Sequence, residues 1–268
     1  MRRPQLALLT LLALAPAACS RGEHPWEVKS FAWDGRLDDR WIRIRNTNGP
    51  VEVRESPDGL VHVNAEKRWN GRRPQPVRFV VDSARSGLTV CAIGGKRGGE
   101  CTESRYRSRG EAWWQRMLYR RTTVNVSFVV QVPRGVRVDV ETVNGKVAID
   151  GAGGAVKART VNGPIETSTS TGPIEASTVN GPVRAHIGAI GGPGDIKLST
   201  VNGSVTAELP ATIGASLDLS TVNGRIDSDL PITLDGGMSR TRLRGTIGDG
   251  ASRVRISTVN GSVTLRKS

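Results

Sequence analysis

No aromatic side chain follows Phe128, so the last 140 residues lack Trp, Tyr and Phe altogether. A compact globule of that length ordinarily fills its centre with aromatic rings. A narrow repetitive structure can instead close its core with Val, Ile, Leu, Ala and Thr. Histidine is almost as scarce: His24, His62 and His186 are scattered, without the spacing of a metal site. Serine is abundant but falls in repeat turns, with no nucleophile-elbow pattern. Only three cysteines occur, Cys19, Cys91 and Cys101. An odd number in an exported chain requires a use for the third thiol.

Export is what the first residues predict. Arg2 and Arg3 precede the apolar run Leu6 to Ala15, and Pro16-Ala17-Ala18-Cys19 follows. A basic start, a short apolar stretch and small residues make residues 1–18 a signal peptide, too short for a permanent membrane span. Ala15-Pro16-Ala17 fits ordinary signal peptidase. Ala17-Ala18-Cys19 resembles a bacterial lipobox, with Pro16 where leucine is usual; its cysteine would be acylated, and residues 19–25 would be a linker. The cysteine count favours this second layout, because lipidation of Cys19 leaves Cys91 and Cys101 as a disulfide pair. The expectation is a membrane-anchored lipoprotein of the cell envelope, with plain secretion as the alternative.

The repeat dominates what remains. TVNG occurs six times, ending at Gly145, Gly163, Gly181, Gly203, Gly224 and Gly261, and Thr47-Asn48-Gly49 is an earlier relative. Leu243-Arg244-Gly245-Thr246-Ile247 reads as a worn copy. Two residues after these glycines, and after the half-way glycines Gly154, Gly172 and Gly194, stands a Val or Ile every time, from Val51 to Val263. Alternating apolar residues mean short strands with one buried face. Recurrence at about 20 residues is the signature of a solenoid. The predicted fold is therefore all-β: a β-solenoid, single-stranded β-helix or β-roll-like, with one internal Val/Ile column and a second column of asparagines. Asn-Gly between alternating residues also fits an antiparallel hairpin, but near-constant spacing favours the stack. Glycine would serve the corners by tolerating positive φ. Calcium is not expected, since Gly191-Gly192-Pro193-Gly194-Asp195 is a single imperfect match to a calcium-binding nonapeptide.

Val132-Pro133-Arg134-Gly135 followed by VRVDVETVNGKVAIDGAGGAVKARTVNGPI resembles a bacterial family of candidate adhesins built from β-strand repeats, a family of unknown function. WIRIRNTNGPVEVRESPDGLVHVNA, Trp41 to Ala65, looks like its opening strands. The resemblance implies a β-repeat architecture over most of residues 26–268 and carries no catalytic residues. On this reading, residues 26–130 form an N-terminal β region that caps the stack, and 131–268 form the TVNG solenoid. Arg266 and Lys267 would guard its far edge.

Residues 91–121 interrupt the strand pattern and read as a projecting, disulfide-pinned insert, with a short helix over Glu111 to Tyr119. Residues 66–121 hold 14 basic against 5 acidic side chains. Lys96, Arg97, Arg105, Arg107, Arg109, Arg116, Arg120 and Arg121, with Trp113 and Trp114, are the candidate anion-binding residues, since forked guanidinium donors suit phosphate and carboxylate. The expected function is a non-catalytic adhesin or surface scaffold without cofactor or metal. The alternative is a module binding anionic polysaccharide or lipid headgroups through the insert. A polysaccharide-cleaving β-helix, with Asp227 and Asp229 as acids, is the weakest reading. Nucleic acid is not an expected partner of an exported protein.

Overall fold

The computed structural model describes residues 26–33, 40–70, 76–84, 86–95, 99–103, 105–107, 123–169, 172–188, 194–210, 212–235 and 239–268. No helix occurs among them. The first strands are β1 (Trp26–Trp33), β2 (Trp41–Arg45), β3 (Val51–Glu55), β4 (Val61–Trp69), β5 (Val77–Ala84), β6 (Gly87–Gly94), β7 (Glu100–Cys101), β8 (Tyr106–Arg107) and β9 (Val124–Val132). The repeat region supplies β10 (Arg137–Glu141), β11 (Val147–Ala152), β12 (Val156–Arg159), β13 (Ile165–Thr169), β14 (Ile174–Asn180), β15 (Val183–Ile187), β16 (Asp195–Asn202) and β17 (Val205–Leu209). It ends with β18 (Ala215–Ser220), β19 (Ile226–Ser228), β20 (Thr233–Leu234), β21 (Arg242–Ile247), β22 (Ser252–Asn260) and β23 (Val263–Lys267).

These strands build two facing sheets. Sheet A has ten strands in the order β1-β4-β9-β3-β11-β13-β15-β17-β23-β19. Sheet B has eleven, ordered β20-β21-β18-β22-β16-β14-β12-β10-β2-β6-β5. Each TVNG corner carries the chain from a strand of B to a strand of A, and neighbouring rungs pair in parallel. The corner therefore bridges the sheets and is no hairpin. The expected single Val/Ile column resolves into two. Val51, Val147, Ile165, Val183, Val205, Val263 and Ile226 face inward from A, each beside the next. From B, Ile42, Val138, Val156, Ile174, Ile196, Val254 and Leu217 meet them. All are buried, and such a side chain contributes roughly 1.5–3 kcal/mol. Phe128 is fully buried in this core, and Phe79 packs edge-on against it.

The rungs do not stack in sequence order. The last rung, β22–β23, slides between β16–β17 and β18–β19, so that β22 pairs with both β16 and β18, and β23 with both β17 and β19. The worn copy at 243–247 is accordingly not a parallel rung. It is β21, which runs antiparallel along β18. Arg266 and Lys267 lie on β23, one strand in from the end of sheet A, past the three residues that β19 covers. The free edge of sheet A is instead the three-residue β19, followed by Pro231, and short strands and proline both discourage edge pairing. At the other end, antiparallel strands close the stack as expected: β4 and β1 on A, β5 on B. Both sheets run continuously through residue 130, which lies inside β9.

Candidate functional site

The TVNG edge is the most regular surface of the molecule. Its amides form one hydrogen-bonded ladder: Asn144 Nδ2 donates to Asn48 Oδ1, and Asn162, Asn180, Asn202, Asn260 and Asn223 continue it, each at 2.7–2.8 Å. Beneath it, buried Thr142, Thr160, Thr178, Thr200, Thr258 and Thr221 each donate a hydroxyl proton to a glycine carbonyl of the adjacent rung. The first rung departs from the pattern. Asn46, one residue before the motif's Thr47, takes the threonine's place and reaches Val126 O at 2.7 Å on β9.

Close approach, more than positive φ, is what demands glycine here. A Cβ on Gly145, Gly163, Gly181, Gly203, Gly224 or Gly261 would sit 2.0–2.2 Å from the neighbouring glycine's carbonyl oxygen. Of these six only Gly163 has a markedly positive φ, 154°, which is almost extended.

What the corner turns outward is equally repetitive. Val161, Val179, Val201 and Val259 are 38–39% exposed and Val222 63%. They form a stripe between the asparagine ladder and a partly exposed row of Ser177, Ser199, Ser257 and Ser220 on sheet B. Strand spacing of about 4.8 Å sets the repeat. The valines' exposure was hidden in the sequence, because period-two alternation does not say which parity faces in at a corner.

The outer face of sheet A carries a groove of about 550 Å³ lined by Asp150, Glu166, Arg184, His186, Glu208 and Arg266 among others. Four of its charged or titratable side chains are paired within it, Glu166 with Arg184 and His186 with Glu208. Glu166 bonds Lys146 and lies 3.7 Å from Arg184, and His186 Nδ1 is 3.1 Å from Glu208. Ser168 is the cross-strand neighbour of His186, yet no hydrogen bond joins them, and both His186 and Glu208 are about half exposed. Nothing there shields a nucleophile from water. Asp227 and Asp229 are exposed, with Asp227 held by Arg225 at 2.9 Å. Among the described residues no group of His, Cys, Asp and Glu could hold a metal ion.

Cys91 and Cys101 form the expected disulfide, Cα–Cα 6.2 Å. The described stem of the insert lies against sheet B and does not project. Glu103 bonds Arg43 at 2.9 Å, and Tyr106 Oη meets Thr47 Oγ1 at 2.8 Å and donates to Ala92 O at 2.9 Å. Burial pushes the Tyr106 phenol's pKa up. Below the stem, Arg45 is buried and paired with Asp139 at 2.6 Å. Arg105 is 70% exposed with Glu100 at 3.5 Å, and Arg107 is exposed. Cys19, Lys96, Arg97, Arg109, Trp113, Trp114, Arg116, Arg120, Arg121 and the expected helix lie outside the described residues.

The two-sheet stack and its corner motif define a recognisable class. Residues 122–266 match the model of the Toastrack DUF4097 family, and the chain belongs to that family. Among solved structures it is similar to a candidate cell adhesion protein from Clostridium sporogenes, at 8% identity and TM-score 0.53, covering 92% of this chain and all of that one. A candidate adhesin from Bacteroides fragilis aligns at 11% identity and TM-score 0.38, over 89% and 97% of the two chains. The first likeness is one of fold. No curated protein matches the sequence.

Proposed function

We propose that the protein is an exported, non-catalytic adhesion module that presents a repeating face to a repeating partner at the cell envelope. The observation that carries this reading is the in-register array of exposed Ser, Val and Asn along the TVNG edge. A rigid ladder places Val and Asn at every TVNG height, with Ser beside them on four of the six, so individually weak contacts are made many times over, and avidity can exceed the single contact by orders of magnitude. The Cys91–Cys101 disulfide supports an oxidising compartment, and the leader supports export. The fold likeness to a candidate cell adhesion protein is consistent with this.

Retention of purified protein on isolated cell envelopes tests the reading. Val179→Lys/Val201→Lys/Val259→Lys should lower retention while leaving the melting temperature close to wild type. Undiminished retention by a folded triple variant would sink it. The anchor is tested separately: a fatty-acid analogue should label the wild type and not Cys19→Ser, and an unlabelled protein beginning at Ala18 would establish plain secretion.

A further inference from the structure

The order of the rungs decides which charges reach the TVNG edge. In chain order the corner of Asn223, which runs into Arg225, would separate the corners of Asn202 and Asn260. The inserted last rung moves it to the end of the row. Three uncharged corners thereby become neighbours: STVNGP at 177–182, STVNGS at 199–204 and STVNGS at 257–262. The arginines that bound them are already paired, Arg159 with Glu175 and Arg225 with Asp227, both at 2.9 Å. Charges in the flanking rows balance. On sheet B the row is Glu175, Lys197, Arg255 and Asp218. On sheet A it is Arg184, Thr206, Thr264 and Asp227. Nothing in this arrangement favours a partner of either sign.

What the edge does present is a half-used amide at each step. An asparagine side chain has two N–H donors and an oxygen with two lone pairs. The ladder uses one of each at Asn162, Asn180, Asn202 and Asn260, all exposed. Among the described residues, one donor and one acceptor remain on each. The valines beside them supply apolar contact, and the serines supply hydroxyls. The strip is three side chains wide and about 19 Å long over its five valines. That is well short of the roughly 800 Å² that a folded partner ordinarily covers on one side, so a thin chain fits it better. In an extended peptide, side chains on one face recur at about 6.8 Å and drift out of step with rungs about 4.8 Å apart. The rung spacing is instead close to the advance of one ring in an extended β-1,4-linked sugar chain. Its hydroxyls and C–H faces match the amide, hydroxyl and methyl groups of the strip. We propose that the TVNG edge binds a linear, uncharged β-1,4-linked glycan lying along the stack, which deepens the adhesion reading and rests on it.

Calorimetric titration of the full mature protein with cellohexaose, chitohexaose, their disaccharides and polygalacturonate, across a salt series, tests the assignment. The two hexaoses distinguish hydroxyl from acetamido sugars. Wild type should bind one of them about tenfold or more tighter than its disaccharide, because a long chain engages several rungs at once. Salt should leave that binding unchanged, since no ion pair is screened. Val179→Lys/Val201→Lys/Val259→Lys should weaken it by about tenfold or more, with a melting temperature close to wild type. The milder Ser177→Ala/Ser199→Ala/Ser257→Ala should weaken it about fivefold. His186→Ala/Glu208→Ala, in the groove of sheet A, should leave it intact. Failure to bind either hexaose, equal affinity for hexaose and disaccharide, or an equal loss in the groove variant overturns the inference. Preference for polygalacturonate that salt abolishes overturns the uncharged class. If the valine variant loses envelope retention while wild type binds neither hexaose, this inference fails and the adhesion reading stands. Undiminished retention by that variant is the separate failure of the adhesion reading.

Discussion

The two long edges of the stack are built on opposite principles. At the TVNG edge every crossing from B to A has the same length, because glycine, threonine and asparagine of one rung each bond or pack against the next. The opposite edge begins in the same way, with Gly172 stacked over Gly154, and then gives it up. The connections 188–194 and 210–214 are longer than 170–173 and differ from each other. All the variation in repeat length, 18, 18, 22 and 21 residues between the first five copies, is absorbed there. One edge fixes register over the whole length; the other closes each rung locally and tolerates change.

The sharpest contrast is between core and edge. Val205 is fully buried between Val183 and Val263, while Ser204 before it is exposed. Val205→Asp places a carboxylate in an apolar column and should cost on the order of 4 kcal/mol in urea unfolding; Ser204→Asp should be nearly silent. Equal losses would refute the register. Next comes a direct comparison of the edges. Two residues inserted between Asn180 and Gly181 should cost about 2–3 kcal/mol, by separating the ladder and glycine stack. The same insertion in 188–194 should cost ~0.5 kcal/mol or less, the entropy of a slightly longer loop. Similar costs at both sites would erase the distinction. Smaller still, Asn180→Ala removes two ladder bonds from the middle and should cost ~1–2 kcal/mol, whereas Asn223→Ala at the end removes one and should cost about half that.

The sequence was read most easily where repetition carried the information. Six TVNG copies gave the parallel stack, the inward Val/Ile positions and the asparagine ladder, because each copy restates the same alternation. Repetition could not give rung order. Near-identical motifs fit any neighbour, so nothing in Gly224 or Gly261 says that the later rung lies inside the earlier one. The same gap made β21 look like a rung, since its glycine-to-isoleucine spacing mimics one. The two-sheet cross-section was also not legible: half-way glycines marked the second corner, but alternation alone does not divide one column from two.

The smallest expected effect concerns the tolerant edge at the turn between β3 and β4. There Asp58 accepts from Ser56 Oγ at 2.7 Å and Leu60 N–H at 3.0 Å, and meets His62 at 2.8 Å. Hydrogen bonds from Ser56 first, then Leu60 and His62, hold its pKa at about 2, below the ordinary 3.8. A carboxylate with a depressed folded pKa stabilises fully above its unfolded value, so this contribution is present above about pH 4 and is lost as pH falls through about 2. The ladder at the other edge contains only Thr, Val, Asn and Gly, none of which titrates. Between pH 4 and 2, amide exchange at Leu60, corrected for its intrinsic rate, should therefore accelerate while Asn162 and Asn180 N–H groups, bonded to the rung before them, keep their protection. Asp58→Asn should reproduce the faster exchange at neutral pH without touching the ladder. If acid loosens the ladder amides first, then the regular edge is not the one that fixes the stack, and the division of labour between the two edges is wrong.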